Sequence, residues 1–204
     1  MRVAGVILAG GRSSRMEGAD KALVLLAGRP LAAHAAARLG PQVARMALST
    51  NDAAVRRALP GLDALPDADD TRAGPLAGIL AGLRWAETLP APPTALVSAA
   101  VDTPFFPDDL VARLIAAADS GTIAVASSAS LRHPTFALWP LALAADLAAY
   151  LDAGERRVGA FIDRHRHVVV DFPPMAGGLD PFFNINTASD LTTAEAMMRG
   201  LHSL

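Results

Sequence analysis

An apolar run that breaks onto adjacent glycines constrains this chain more than any other feature. Val3 to Leu8 is short, uncharged and partly β-branched, which predicts a buried strand. It leads into the stretch Leu8-Ala9-Gly10-Gly11-Arg12-Ser13-Ser14-Arg15-Met16-Glu17-Gly18-Ala19-Asp20-Lys21. Paired glycines let the backbone turn sharply and leave its N–H groups bare. Arg12, Arg15 and Lys21 then gather positive charge beside those amides. A strand end, bare amides and clustered cations together make a place to hold phosphate.

The one lysine sharpens this. Of 18 basic residues, all are arginine except Lys21. A compact ammonium at the end of the glycine stretch is therefore selected for its chemistry, not drawn from background usage. The formal net charge of −2 excludes the basic excess of a nucleic-acid binder. The longest apolar run, Leu141 to Leu151, is broken by Asp146 and falls short of a membrane span, so no membrane partner is expected. The apolar segment at the N-terminus is too short for a secretory signal and runs straight into Arg12. Absence of cysteine excludes disulfides and thiolate metal sites, and a cytoplasmic location is expected. With 52% hydrophobic residues over 204 positions, one domain spanning 1–204 is expected rather than two.

Along the chain, apolar pieces alternate with helical patterns. Ala22 to Leu26 is apolar, Gly28-Arg29-Pro30 a turn, and a helix runs from Pro30 to about Leu39. Strands are expected at Val43 to Thr50, Leu62 to Leu65, Thr94 to Val101, Thr122 to Ala126, His133 to Trp139 and His167 to Phe172. Helices are expected at Ala53 to Leu59, Leu76 to Leu89, after Pro107-Asp108-Asp109, Leu141 to Tyr150 and Glu155 to Arg164. Pro173 to Pro181 is a Gly/Pro-rich loop, Phe182 to Ile185 a short extended piece, and Thr187 to Asp190 a capping box opening the last helix. This alternation predicts a three-layer α/β/α fold around a mainly parallel, Rossmann-like sheet. Ligands in such folds lie at the carboxyl ends of the strands. The Gly10 loop, the Ser49 turn, the acidic loop with Asp67, and Asp102 all fall at those ends.

Two common phosphate motifs are excluded. A P-loop needs Gly-Lys-Ser/Thr, whereas Lys21 lies between Asp20 and Ala22. A dinucleotide fingerprint needs spaced glycines and an acid closing the second strand, yet no Asp or Glu occurs between Lys21 and Asp52. Asp102, at the tip of an apolar strand and followed by Thr103-Pro104, is the metal-ligand candidate, suited to Mg²⁺ over a triphosphate. An acidic loop around Asp67 is more often simply solvated. The five histidines, His133 among them, lack metal-ligand spacing and are expected to make local hydrogen bonds. Gly154-Glu155-Arg156-Arg157 reads as a solvated helix start rather than as a site for an anionic substrate, on its residues alone.

The ordered set Leu8 to Met16 with Asp20-Lys21, Gly28 to Leu31, Gly74-Pro-Leu-Ala-Gly78, Asp102-Thr-Pro104, His133-Pro-Thr135, Gly154 to Val158 and Asn184-Ile-Asn-Thr187 resembles the signature of the molybdenum cofactor guanylyltransferases. The glycine loop alone indicates only the wider superfamily of nucleotide-diphospho-sugar transferases; the later motifs narrow it. The resemblance implies transfer of GMP from GTP to molybdopterin with release of pyrophosphate. It also implies that Leu8, Ala9 and Gly10 contact the guanine nucleotide, Lys21 its phosphates, and Asp67 the nucleoside end; by their chemistry, the Gly11 amide and Arg15 are expected to help hold the phosphates. Asp102 would bind Mg²⁺ and nucleotide. Ser49 stands where the family often has Asn, with Asn51 two residues on. Arg156, Arg157, Asn184 and Asn186 are the implied pterin contacts. Molybdenum-insertion proteins and molybdoenzyme chaperones are the protein partners such a role implies. The rival readings are a molybdopterin cytidylyltransferase and, from another class, a nucleotide-binding adaptor without turnover.

Overall fold

The computed structural model describes residues 2–10, 20–66 and 74–201. Its centre is a seven-stranded sheet in the order β5-β4-β1-β6-β8-β7-β9. The strands are β1 (Val3–Leu8), β4 (Arg45–Ser49), β5 (Asp63–Leu65), β6 (Ala95–Ala100), β7 (Ile123–Ser128), β8 (Leu131–Pro140) and β9 (His167–Asp171). All pair in parallel except β8, which runs antiparallel to both β6 and β7. β1 is buried at every position, as a central strand covered on both faces requires. A small hairpin of β2 (Leu25–Leu26) and β3 (Arg29–Pro30) stands apart from the sheet.

Helices cover both faces. On one lie α1 (Leu31–Leu39) and α4 (Leu110–Ala117), whose Ala32, Ala35, Leu39, Leu110 and Leu114 meet Ile7, Val97 and Leu138. Also in this layer is Val55 of α2 (Ala53–Ala58). On the other face lie α3 (Pro75–Glu87), α5 (Ala144–Asp152) and α6 (Val158–Asp163), packed on Val6, Leu96 and Trp139. The apolar face expected of Leu76, Ile79, Leu80 and Leu83 is buried there. Two glycines one helical turn apart let α3 sit directly on the strands. A Cβ at Gly82 would lie 2.8 Å from Leu96 Cδ2, and one at Gly78 only 2.5 Å from Ser49 Oγ. Among the described residues, no helix is long and apolar enough to cross a membrane.

Three expected elements take a different form. The helix expected from Glu155 starts only at Val158, because Gly154 turns the backbone left-handed at φ +83°. The one expected from Leu141 opens with a tight turn, Leu141–Leu143, before α5. Phe182 to Ile185 joins no sheet; its backbone bonds go to loops, with the Ile185 N–H donating to the Asp102 carbonyl at 2.8 Å. The last helix, α7 (Ala188–Leu201), does start on a capping box. The Asp190 N–H donates to Thr187 Oγ1 at 3.1 Å, and Asp190 Oδ2 accepts the Thr187 N–H at 2.8 Å. From there α7 packs against the β2–β3 hairpin, burying Ala194 and Met197 with Leu26, Leu31, Phe105 and Ile185.

Candidate active site at the strand carboxyl ends

The ends of β1, β4 and β6 are tied together by backbone alone. The Ala9 N–H donates to the Ser49 carbonyl at 2.9 Å, and the Val101 N–H to the Leu8 carbonyl at 3.3 Å. Leu8 and Ala9 bury their side chains in opposite layers, so what they can offer a ligand is main chain. Gly10 comes next, exposed, and a Cβ there would meet nothing within 4 Å. The described residues leave that space open, as the cradle for a bulky anion requires. Ser49 is buried and its hydroxyl packs against Gly78, so in this arrangement it supports α3. Asn51 is exposed beyond the end of β4, just ahead of α2. Gly11, Arg15 and Asp67 lie outside the described residues.

Lys21 enters this mouth from the far side of the loop. Asp20 caps the short turn Lys21–Leu23, its Oδ1 accepting the Ala22 N–H at 2.9 Å. Burial holds the Asp20 carboxyl above its ordinary range; the Ala22 bond opposes this and the Asp52 charge adds to it. So fixed, Lys21 sends its ammonium to Asp102 Oδ2, 3.0 Å away, and donates a second bond to Asn186 Oδ1. Both side chains of the ion pair are about four-fifths covered. Two of the three ammonium donors are thus accounted for among the described residues.

Asn184 and Asn186 reach the mouth on a strap, residues 180–186, laid across the sheet end. Asp180 bonds to Ser128 at the tip of β7, and Phe182 sinks between Phe136 and Phe172. Asn184 Oδ1 accepts from the buried Thr103 hydroxyl at 2.8 Å, next door to Asp102. At the strap's end, Asp190 Oδ2 accepts the Asn186 N–H at 2.9 Å. Its carboxyl is held below the usual range by that bond first, then by Thr187, with the Lys21 charge adding.

The expected set therefore divides. Lys21, Asp102 and Asn186 converge, and Asn184 lies one hydrogen bond behind them through Thr103. Arg156 and Arg157 are exposed, and Arg156 folds back onto the carbonyls of Leu151 and Glu155 at 2.6 and 2.8 Å. Nothing described joins them to the Lys21 cluster. Two contributors were absent from the expectation. Thr103 was visible only as part of Asp-Thr-Pro, and Asp180 only as an acid in a Gly/Pro-rich loop.

Among the described residues, the oxygens gathered around the Lys21–Asp102 pair come from the Asp102 carboxylate, the Thr103 hydroxyl and the Asn184 and Asn186 amides, and no cluster of three His, Cys, Asp or Glu exists. That set fits Mg²⁺, which takes one or two carboxylates and completes its shell with phosphate and water. A glycine, a lysine and a carboxylate at the carboxyl ends of a mainly parallel sheet suit a nucleotide, and similarity to known proteins makes the chain a nucleotidyltransferase. Residues 5–168 match the model of the MobA-like NTP transferase domain. The molybdenum cofactor guanylyltransferase of Mesorhizobium japonicum is 49% identical over 98% of both chains, and that of Cereibacter sphaeroides 48% identical over 98% of both. The chain belongs to the molybdenum cofactor guanylyltransferase family. Among solved structures, molybdopterin-guanine dinucleotide biosynthesis protein A from Archaeoglobus fulgidus superposes with a TM-score of 0.75 at 23% identity, covering 97% of this chain and 99% of that one. A nucleotidyl transferase from Methanothermobacter thermautotrophicus does so at 0.76 and 22%, covering 98% and 99%. Both share the three-layer fold.

Proposed function

We propose that the chain transfers GMP from GTP to molybdopterin, releasing pyrophosphate, in the mouth between Gly10, Lys21, Asp102 and the 180–186 strap. The observation that carries the assignment of roles is the convergence of Lys21, Asp102 and Asn186 from three distant parts of the chain. A terminal phosphate on the acceptor is already an oxyanion, so the reaction needs little general-base help. Its oxygen attacks the α-phosphorus of GTP, a new P–O bond forms, and the bond to the β-phosphate breaks. What remains for the protein is to bring two polyanions together and to offset charge on the α-phosphate and the leaving pyrophosphate.

Main-chain amides at Gly10 and Gly11, the Lys21 ammonium and Arg15 are the groups assigned to the triphosphate. Asp102, with substrate phosphates, would hold Mg²⁺, which supplies charge neutralisation at the triphosphate when bound. Asp67 and Asn51 are assigned to the nucleoside end, Ser49 to the wall behind it. Asn184 and Asn186 face the acceptor, where amide oxygens and N–H groups suit the edge of a pterin. Arg156 and Arg157 join them only if Arg156 leaves the carbonyls it holds. GTP and molybdopterin are the substrates; molybdenum-insertion proteins and molybdoenzyme chaperones are the proteins expected to deliver or receive the cofactor, in the cytoplasm.

The test is to incubate the protein with Mg²⁺, molybdopterin and each of GTP, CTP and ATP, and to follow pyrophosphate. Release is expected with GTP. Release with CTP and not GTP would reassign the base, and none with any nucleotide would mean a binding protein without turnover.

A further inference from the structure

The histidine motif left without a task lies at the same end of the sheet as the active-site mouth. β7 stops at Ser128 and β8 starts at Leu131, joined by a turn in which Ala129 and Ser130 both take positive φ, 46° and 66°. The β7–β8 ladder does not run evenly. It pairs Val125 with Ala137 and then Ala126 with His133, so the register jumps across Pro134, Thr135 and Phe136. Bulges of this kind re-aim side chains beside functional sites. An uninterrupted ladder would put Phe136 opposite Ala126. Instead His133 takes that place, and its ring stacks on Phe182 at 4.4 Å. The bulge is held: the Thr135 carbonyl accepts the Ser98 hydroxyl at 2.7 Å, and Ser98 Oγ accepts from Trp139 Nε1 at 2.9 Å.

Ser128 sits between His133 and the strap. Its hydroxyl has a single proton, which it donates to Asp180 Oδ1 at 2.8 Å. His133 Nε2, 2.7 Å from the same oxygen, must then be the donor, which sets the tautomer of a neutral ring. Burial supports that state by lowering the His133 pKa, against the pull of the Asp180 charge. Asp180 Oδ1 also accepts the Phe182 N–H at 2.9 Å, so one oxygen closes the turn that drives Phe182 into its slot. Asn184 and Asn186 follow two and four residues later. So short a segment has few ways to absorb slack at 180–182, which would load the ties that Asn184 and Asn186 make to Thr103 and Asp190.

We infer that Ser128, His133 and Asp180 are a positioning set for the acceptor: by clamping the start of the 180–186 strap they hold Asn184 and Asn186 where molybdopterin binds. None of the three is hydrogen-bonded to Lys21 or Asp102, and the nucleotide side keeps its own backbone ties. The inference rests on the assignment of Asn184 and Asn186 to the acceptor.

Steady-state kinetics with GTP and molybdopterin varied in turn tests it, with GTP binding measured by calorimetry as the check on folding. Asp180→Ala and Ser128→Ala are each expected to raise the KM for molybdopterin about tenfold or more, while the KM for GTP stays within about twofold. Asp180→Asn keeps an oxygen for both donors and should recover most of the loss. A structural role alone would move both KM values together or only the melting temperature, and either result overturns the inference. Asn184→Ala, run alongside, tells the two levels apart. If it raises the acceptor KM while Asp180→Ala and Ser128→Ala do not, the positioning set is wrong and the acceptor assignment stands. If none of the three moves it, the acceptor assignment fails and the positioning set falls with it.

Discussion

The half of the mouth proposed for the nucleotide and the half proposed for the acceptor are built by different means. On the nucleotide side, parallel strands end in line, and their tips are joined by main-chain bonds such as Ala9 to Ser49 and Val101 to Leu8. The residues there are small, and Gly10, Gly78 and Gly82 matter for what they omit. On the acceptor side the sheet is interrupted by antiparallel β8, and the surface is made from side chains. Phe136, Phe172, Phe182 and His133 form an aromatic seat, and Ser128, Asp180, Thr103 and Asn184 supply the polar ties. A triphosphate is much the same in every nucleotide, and backbone amides recognise it without needing many side chains. A larger and less common acceptor calls for specific side chains, which must themselves be held. Lys21 and Asn186 are where the halves meet.

The sharpest way to break this division is at that meeting point. Lys21→Ala and Asp102→Ala should each lower kcat by about a hundredfold or more, the range seen when a group stabilising transition-state charge is removed. Pyrophosphate release measures this, and near-normal rates in both would sink the assignment. Next in size is Phe182→Ala. Emptying a fully buried aromatic site should cost about 3–5 kcal/mol in urea unfolding. The acceptor side would be expected to suffer first. Gly78→Ala strains the opposite side, forcing Ser49 and Leu8 away from α3, with about 1–3 kcal/mol lost. A gain in stability there would mean α3 is free to shift.

Smaller still is removal of the cap on α7. Thr187→Ala should cost about 1 kcal/mol, because the Asp190 N–H loses its partner. The last prediction concerns pH. His133 is held below 6.5 when folded, so the unfolded chain takes up a proton more readily. The stability this contributes is full above about pH 6.5 and is lost as pH falls through the folded value. Urea midpoints at pH 7.5 and 5.5 should therefore diverge more for the native chain than for His133→Gln. Equal divergence would place the titration elsewhere.

Local sequence carried much of the nucleotide half. An apolar, partly β-branched run forms the strand Val3–Leu8 as its composition requires, and a lone lysine among arginines marks itself. The same holds for α3, whose apolar spacing requires a buried face, and for α7, whose Thr187 and Asp190 are three residues apart and cap each other within one turn. The acceptor half could not be read this way. Ser128 and Asp180 look unremarkable in their own segments, His133 stands out only as part of a His-Pro-Thr motif without a task, and the register jump in β8 brings it beside Phe182. Phe182 to Ile185 has an extended look but bonds to loops, since partners such as Asp102 and Phe136 are far away in the chain. Arg156 reads by its segment as part of a solvated helix start, and it is exposed with its guanidinium on the carbonyls of Leu151 and Glu155. Backbone geometry and short-range periodicity are properties of a segment, so the sequence alone determined the strand Val3–Leu8, the buried face of α3 and the cap of α7. Which side chains share a hydrogen bond across 52, 81 or 165 residues depends on how strands are ordered and shifted, and only the tertiary structure decided that.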